Sequence, residues 1–302
     1  SKGFRNFDEI EFFPSKNMNV IYGNNAQGKT NLLEAIWLFC GAKSFRGAKD
    51  RELLGFNKEK AINTCEFIFG ENKKNAKIII EEKRKAELGG KLLSSASKLA
   101  GNFYAIVFSP MDLNLVNDGP NVRRKFLDTA IGQIYPLYNE KIRNYMKALN
   151  QRNTILRDVK FHSDIEFLLD DFEKSLSVLI KEIVKYRYRY VEILSETAPE
   201  IYGGISGEKE KLTIEYSSPV LRNMGSEEIL KLLKKSRNED ILTGNTSVGP
   251  HRDDLELILN NSKIKSYGSQ GQRRSVCLTL KLSEAKILKK ITVEYPIALI
   301  DD

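Results

Sequence analysis

Eight consecutive residues, Gly23-Asn24-Asn25-Ala26-Gln27-Gly28-Lys29-Thr30, have the types and spacing of a loop that wraps a phosphate group, G-x4-G-K-[ST]. The glycines let the main chain fold closely around an anion, so that several N–H groups face it. Lys29 is placed to reach the β and γ phosphates of a nucleoside triphosphate, making it a candidate for both binding and catalysis. The Thr30 hydroxyl is a candidate ligand for Mg²⁺, and Asn31 follows as the next residue of the site. The loop alone does not separate a kinase from a GTPase or a motor-type ATPase.

Two further clusters narrow the chemistry. Ser269-Gln270-Gly271-Gln272 opens a long amphipathic stretch, and a hydroxyl plus a glycine at a helix N-terminus make a second anion site. Taken by itself, Ser269 also reads as an ordinary N-cap. The apolar Pro296-Ile297-Ala298-Leu299-Ile300 then runs into Asp301-Asp302. A carboxylate emerging from a buried strand can hold the water shell of Mg²⁺, the role expected of Asp301, and its neighbour Asp302 can polarise an attacking water as the catalytic carboxylate. In that order along the chain, the three elements follow the layout of ATP-binding-cassette ATPases. Because one loop already encloses the anion, Ser269, Gly271 and Gln272 are expected to close over ATP held by a second copy, giving an ATP-dependent two-fold dimer with two composite sites.

These groups need a scaffold. Met18 to Tyr22 reads as a strand before the loop, and Leu32, Leu33, Ile36, Phe39 and Cys40 put a helix after it. Ala76 to Glu81 and Tyr104 to Phe108 are further strand candidates. From Pro120 to Pro199 the pattern turns to long helices, with a stripe from Ile165 through Leu176, Ile183 and Leu194 that predicts one core-facing helix about 30 residues and 45 Å long. Strands return at Leu212 to Tyr216 and at Leu255, Leu257 and Leu259, the latter ahead of an Asn260-Asn261 hairpin turn; a helix from Gln272 to Lys290 follows. The expected fold is α/β, an ABC-type P-loop ATPase head with a mixed sheet. Residues 1–115 and 205–302 form a discontinuous ATPase lobe, interrupted by a helical lobe at 116–204.

Composition bounds the partners. Lys and Arg outnumber Asp and Glu by 48 to 40, a net charge of +8 that favours a polyanion such as DNA but also serves solubility. The helical stretch supplies Arg123, Arg124, Lys125, Lys141, Arg143, Lys147, Arg152, Lys181, Lys185, Arg187 and Arg189 for phosphate contacts, each of them also readable as a solvated helix face. No apolar run is long enough to span a bilayer, and the N-terminus lacks the layout of a secretion signal, so no membrane partner and a cytoplasmic location are expected. Cys40, Cys65 and Cys277 are odd in number and far apart, and His162 and His251 lie away from them, arguing for reduced thiols and against a His/Cys metal centre.

Several segments together resemble the RecF family of bacterial recombination-repair proteins, which is related to SMC and SbcC heads. They are Phe4-Arg5-Asn6-Phe7 before the loop, Lys43-Ser44-Phe45-Arg46, Phe108-Ser109-Pro110, Gly119-Pro120 with Arg123 to Asp128, Gly249-Pro250-His251-Arg252-Asp253-Asp254-Leu255, and Ser269 to Gln272. The likeness covers nearly the whole chain. It departs at Met111, where an acidic residue is usual, at Asp118, and in having no glutamine between Phe108 and Leu113. The resemblance implies dimerisation on DNA with ATP and Mg²⁺, slow ATP hydrolysis, and action with RecR and RecO in directing RecA to gapped DNA and in the SOS response. It also implies that Arg5 and Asn6 approach the adenine. Two rivals share the phosphate loop. A small-molecule kinase leaves the Ser269 turn and the Gly249 to Asp254 motif without roles, and a non-catalytic ATP-gated DNA clamp is separated by turnover.

Overall fold

The computed structural model describes residues 1–158 and 165–301; His162 and Asp302 lie outside the described residues. In chain order the strands are β1 (Lys2–Phe4), β2 (Phe7–Glu9), β3 (Ala61–Phe69), β4 (Asn72–Ile80), β5 (Lys85–Leu88), β6 (Lys91–Leu92), β7 (Ala105–Phe108), β8 (Leu212–Ser217), β9 (Asp254–Leu259), β10 (Ser262–Lys263) and β11 (Ile297–Ile300). The helices are α1 (Lys29–Trp37), α2 (Asn114–Asn117), α3 (Pro120–Ile134), α4 (Pro136–Arg157), α5 (Ile165–Ser206), α6 (Ser226–Thr243), α7 (Ile264–Tyr267) and α8 (Gln270–Thr292). The chain divides into two compact units, Ser1–Asp112 with Glu284–Asp302, and Leu113–Ser283.

The first unit holds an antiparallel sheet in the order β2-β1-β3-β4-β5-β6 and a separate parallel pair, β7 with β11. Strand β4 alternates, with Ala76, Ile78 and Ile80 buried, so one face of the sheet must be covered. The cover is α1 and the short 3₁₀ turn after it. Ala35, Trp37, Leu38 and Phe39 share one apolar cluster with Phe4, Ile78, Ile80, Phe103, Val107 and Leu299. Burying such side chains contributes about 1.5–3 kcal/mol each, and it holds α1 between the antiparallel sheet and the β7–β11 pair.

Met18 to Tyr22 corrects the expectation of a strand. These residues are in no strand, and Met18, Val20 and Tyr22 stand 75–91% exposed. A strand exists through its ladder partner, and no described segment pairs with this one, so its apolar alternation is left without a sheet. Parallel and antiparallel pairing are both present, the former in β7–β11 and the latter in the β2-β1-β3-β4-β5-β6 sheet.

In the second unit α5 runs for 42 residues, about 63 Å. It buries Leu176, Ile180, Ile183, Val184, Val191 and Leu194 along one side, as the stripe predicted. The helix continues past Pro199, which cannot bond the Ser195 carbonyl, because Ala198 and Tyr202 on either side are core residues. Sheet β10-β9-β8 packs on this helical scaffold, β8 against α5 and β9 against α3. Accordingly, residues 205–283 group with the helices rather than with the first unit. Asn260 and Asn261 both take positive φ, 47° and 64°, which is the turn geometry that joins β9 to β10.

Candidate nucleotide-binding site

Residues Gly23 to Gln27 form an exposed loop that ends at Gly28, the N-cap of α1. Gly28 has φ 102°, and a Cβ there would lie 2.6 Å from Asn6 Oδ1 and 2.7 Å from the Phe7 ring. Only glycine lets the chain enter α1 beneath the β1–β2 turn. No side chain caps α1, so the first-turn N–H groups remain available to an anion. Lys29 folds back over the loop, its Nζ donating to Gly23 O at 2.7 Å and Asn24 O at 2.9 Å.

Thr30 Oγ1 donates to Asp301 Oδ1 at 2.7 Å. Asp301 is held there because β11 runs parallel to β7 and its own N–H bonds Phe108 O at 2.8 Å. Residues 271 positions apart in sequence thus bring a hydroxyl and a carboxylate together beside Lys29.

A polar belt surrounds the start of α1. Asn31 Nδ2 donates to Asn6 Oδ1 at 2.8 Å, and Arg46 Nη1 donates to Asn31 Oδ1 at 2.9 Å. Arg5 bonds both oxygens of the buried Glu34 and the Glu52 carbonyl. Sequence reasoning gave Glu34 and Arg46 no role. The available signal was Glu34 itself, a carboxylate amid Leu32, Leu33, Ala35 and Ile36, where burial demands a partner.

In the second unit, Ser269 and Gln272 form a capping box at the start of α8. Ser269 N–H donates to Gln272 Oε1 at 2.7 Å, and Gln272 N–H to Ser269 Oγ at 3.2 Å. The Gln272 amide also donates to Glu210, whose other oxygen accepts from the Tyr202 hydroxyl at 2.6 Å. Ser269 and Gly271 stay exposed at the head of the helix.

The Gly249 to Asp254 motif is an internal node. Arg187 donates to Pro250 O at 2.6 Å and Asp253 Oδ2 at 2.9 Å, and Arg123 grips Asp254 through two bonds of 2.7 and 2.8 Å. Arg152 lies wholly buried against Glu173 and Asp240, each 2.7 Å away. These three arginines leave the set offered above for a polyanion, because internal carboxylates already neutralise them and they are out of solvent. Lys141 is paired with Glu182 at 2.7 Å, whereas Lys147, Lys181, Lys185 and Arg189 remain exposed. Cys40, Cys65 and Cys277 form no disulfide; burial pushes the Cys65 thiol up to about 11 and the Cys40 thiol up as well. Among the described residues no group of three or more His, Cys, Asp and Glu side chains is gathered as a metal cluster, and no helix is long and apolar enough to cross a membrane.

A family profile described as an AAA domain matches residues 2–292. The DNA replication and repair protein RecF of Clostridium perfringens (strain SM101) is 37% identical over 304 residues, covering 99% of this chain and 83% of the relative. RecF of Clostridium acetobutylicum is 38% identical over 302 residues, with the same coverage. Among solved structures, the recombination mediator protein RecF of the RecFOR pathway in its ATPrS form superposes with a TM-score of 0.93 at 34% identity, and its ATP form with 0.92 at 35%; each match spans 100% of this chain and 83% of the other. The ABC-type fold expected from the three spaced motifs is therefore the fold observed, and the chain belongs to the RecF family of DNA replication and repair proteins.

Proposed function

We propose that the chain binds ATP with Mg²⁺ in the Gly23 to Thr30 loop, dimerises around two such nucleotides, hydrolyses them slowly, and uses this cycle to bind DNA in recombinational repair. The observation that carries the reading is the pairing of Thr30, the residue after Lys29, with Asp301, their oxygens 2.7 Å apart. Two hard oxygen donors suit Mg²⁺, which takes few protein ligands and completes its shell with water and phosphate oxygens. Thr30 and Asp301 would hold the ion, and the chemistry it supplies is neutralisation of charge on the phosphates.

The chain's own groups account for the rest. Lys29 exchanges two backbone carbonyls for β and γ phosphate oxygens, so the loop opens around ATP at small net cost in hydrogen bonds. The free N–H groups from Gly28 onward receive the remaining phosphate oxygens, with Asn24 to Gln27 forming the loop wall and Asn31 its edge. Asp302 orients and polarises the attacking water. Arg5 and Asn6 border the adenine side, Asn6 through its contact with Gly28. Ser269, Gly271 and Gln272 of one copy close over the γ-phosphate of the other, the capping box fixing the turn that presents them. DNA would meet exposed cations such as Lys147, Lys181, Lys185 and Arg189. RecR and RecO are the proposed partners, in line with the RecFOR pathway named for the solved relatives, and the cytoplasm is the proposed location.

The test is sedimentation and calorimetry with ATP and Mg²⁺. Saturable ATP binding accompanied by a doubling of mass is expected. Absence of ATP binding refutes the loop reading, and binding without any change of mass refutes the dimer.

A further inference from the structure

Glu34 lies five residues beyond Lys29 on α1 and is fully buried. A carboxylate out of water is tolerated only when it is paired and its lone pairs are filled. Here both conditions are met. Arg5 donates from Nε to Oε2 at 2.8 Å and from Nη2 to Oε1 at 3.1 Å, Ser44 donates its hydroxyl to Oε1, and Arg46 Nη1 stands 3.9 Å from Oε2. The partners come from the β1–β2 turn and from the segment after α1, so one side chain ties three stretches of sequence together.

Those partners lead back to the loop. Arg46 holds the Asn31 amide, Asn31 holds Asn6, and Asn6 with Phe7 lies against Gly28. Arg5 precedes Asn6 in the same tight turn, with φ 54°. Glu34, Arg5, Asn6, Asn31 and Arg46 thus close a ring around the first turns of α1. We infer that Glu34 is a positioning residue for the nucleotide site. It touches no phosphate, and acts through Arg5 and Arg46 by holding the Asn6–Asn31 pair against the entry to α1. The Gly28 to Thr30 N–H groups are then presented to the anion in one conformation, as charge-assisted bidentate pairing is suited to do. The inference rests on the nucleotide reading above.

The experiment compares ATP titrations and thermal melts of Glu34→Gln, Arg5→Lys and the double variant. Glu34→Gln keeps the shape and the Ser44 bond but loses the charge. It is expected to melt cooperatively and to bind ATP about tenfold more weakly. Because both residues act through one contact, the double variant should bind no more weakly than the poorer single one, rather than by the product of their effects. Unchanged ATP affinity in folded Glu34→Gln, or multiplicative losses in the double variant, would overturn the inference in favour of a purely structural ion pair. Should Glu34→Gln fail to fold, Ser44→Ala and Arg5→Lys replace it, with weaker ATP binding in both supporting the inference and unchanged binding in either overturning it. Lys29→Ala in the same titration separates the two levels. Normal binding there overturns the loop reading and the inference together, whereas lost binding there with normal Glu34→Gln overturns the inference alone.

Discussion

Single residues set the charge balance at both ends of the chemistry. In the proposed site Lys29 would supply the cation at the floor of the loop, so Lys29→Ala should weaken ATP binding by about a hundredfold or more, read by calorimetry; unchanged affinity would refute its role. His251 offers a pH test of the second unit. Its Nε2 donates to Thr246 O at 2.8 Å while Nδ1 accepts from the Tyr145 hydroxyl, the pattern of a neutral ring, and burial pushes its pKa down to about 4. Below its ordinary value of 6.5 the unfolded chain takes up a proton that the folded chain refuses. The contribution to stability is therefore complete above pH 6.5 and is lost as pH falls toward 4. Between pH 7 and pH 5 the loss should be about 2 kcal/mol, measured by urea unfolding. His251→Gln, which cannot titrate, should lose less; an equal loss in both proteins would show that His251 is not responsible.

At the level of elements, the turn into α1 is the most constrained stretch of the site. Alanine at Gly28 must adopt φ 102° with its Cβ against Asn6 and Phe7, whereas alanine at Gly23 is strained only by its φ of 153°, since a Cβ there meets nothing within 4 Å. Gly28→Ala should therefore cost about 1–3 kcal/mol and reduce ATP affinity, with Gly23→Ala the milder change in a paired thermal melt. A larger drop in Tm for Gly23→Ala would contradict this account of the turn. The helix α1, its loop and the hairpin at Asn260-Asn261 were readable in sequence because local backbone chemistry specifies them. The segment Met18 to Tyr22 was misread because strand formation is settled by a neighbour, and apolar alternation alone cannot supply one.

The whole molecule is the scale at which the proposed dimer is decided. Ser269→Arg should leave ATP binding by the monomer intact but prevent ATP-dependent association, because a bulky cation replaces the hydroxyl meant for the partner's γ-phosphate. A Lys29→Ala copy keeps its Ser269 turn, and a Ser269→Arg copy keeps its loop, so a mixed dimer has one intact composite site. Sedimentation of the mixture with ATP should recover association that neither variant shows alone. No recovery would mean that loop and turn do not work across two copies.

By itself the sequence determined what local chemistry dictates. The phosphate loop needs its glycines, lysine and threonine in a row, the capping box needs Ser269 and Gln272 three apart, and the α5 stripe needs only a period near 3.6. Charge placement was different. Arg123, Arg152 and Arg187 have the same composition signal as Lys181 or Lys185, and only tertiary packing buried the first three against Asp254, Glu173, Asp240 and Asp253. The pairing of Thr30 with Asp301 required the parallel register of β7 and β11, and the ring around Glu34 required three segments to meet. Such contacts depend on distances through space between residues remote in sequence. Spacing along the chain carries no record of those distances, so the folded core, rather than any motif, decided which charged groups face the site and which hold the protein together.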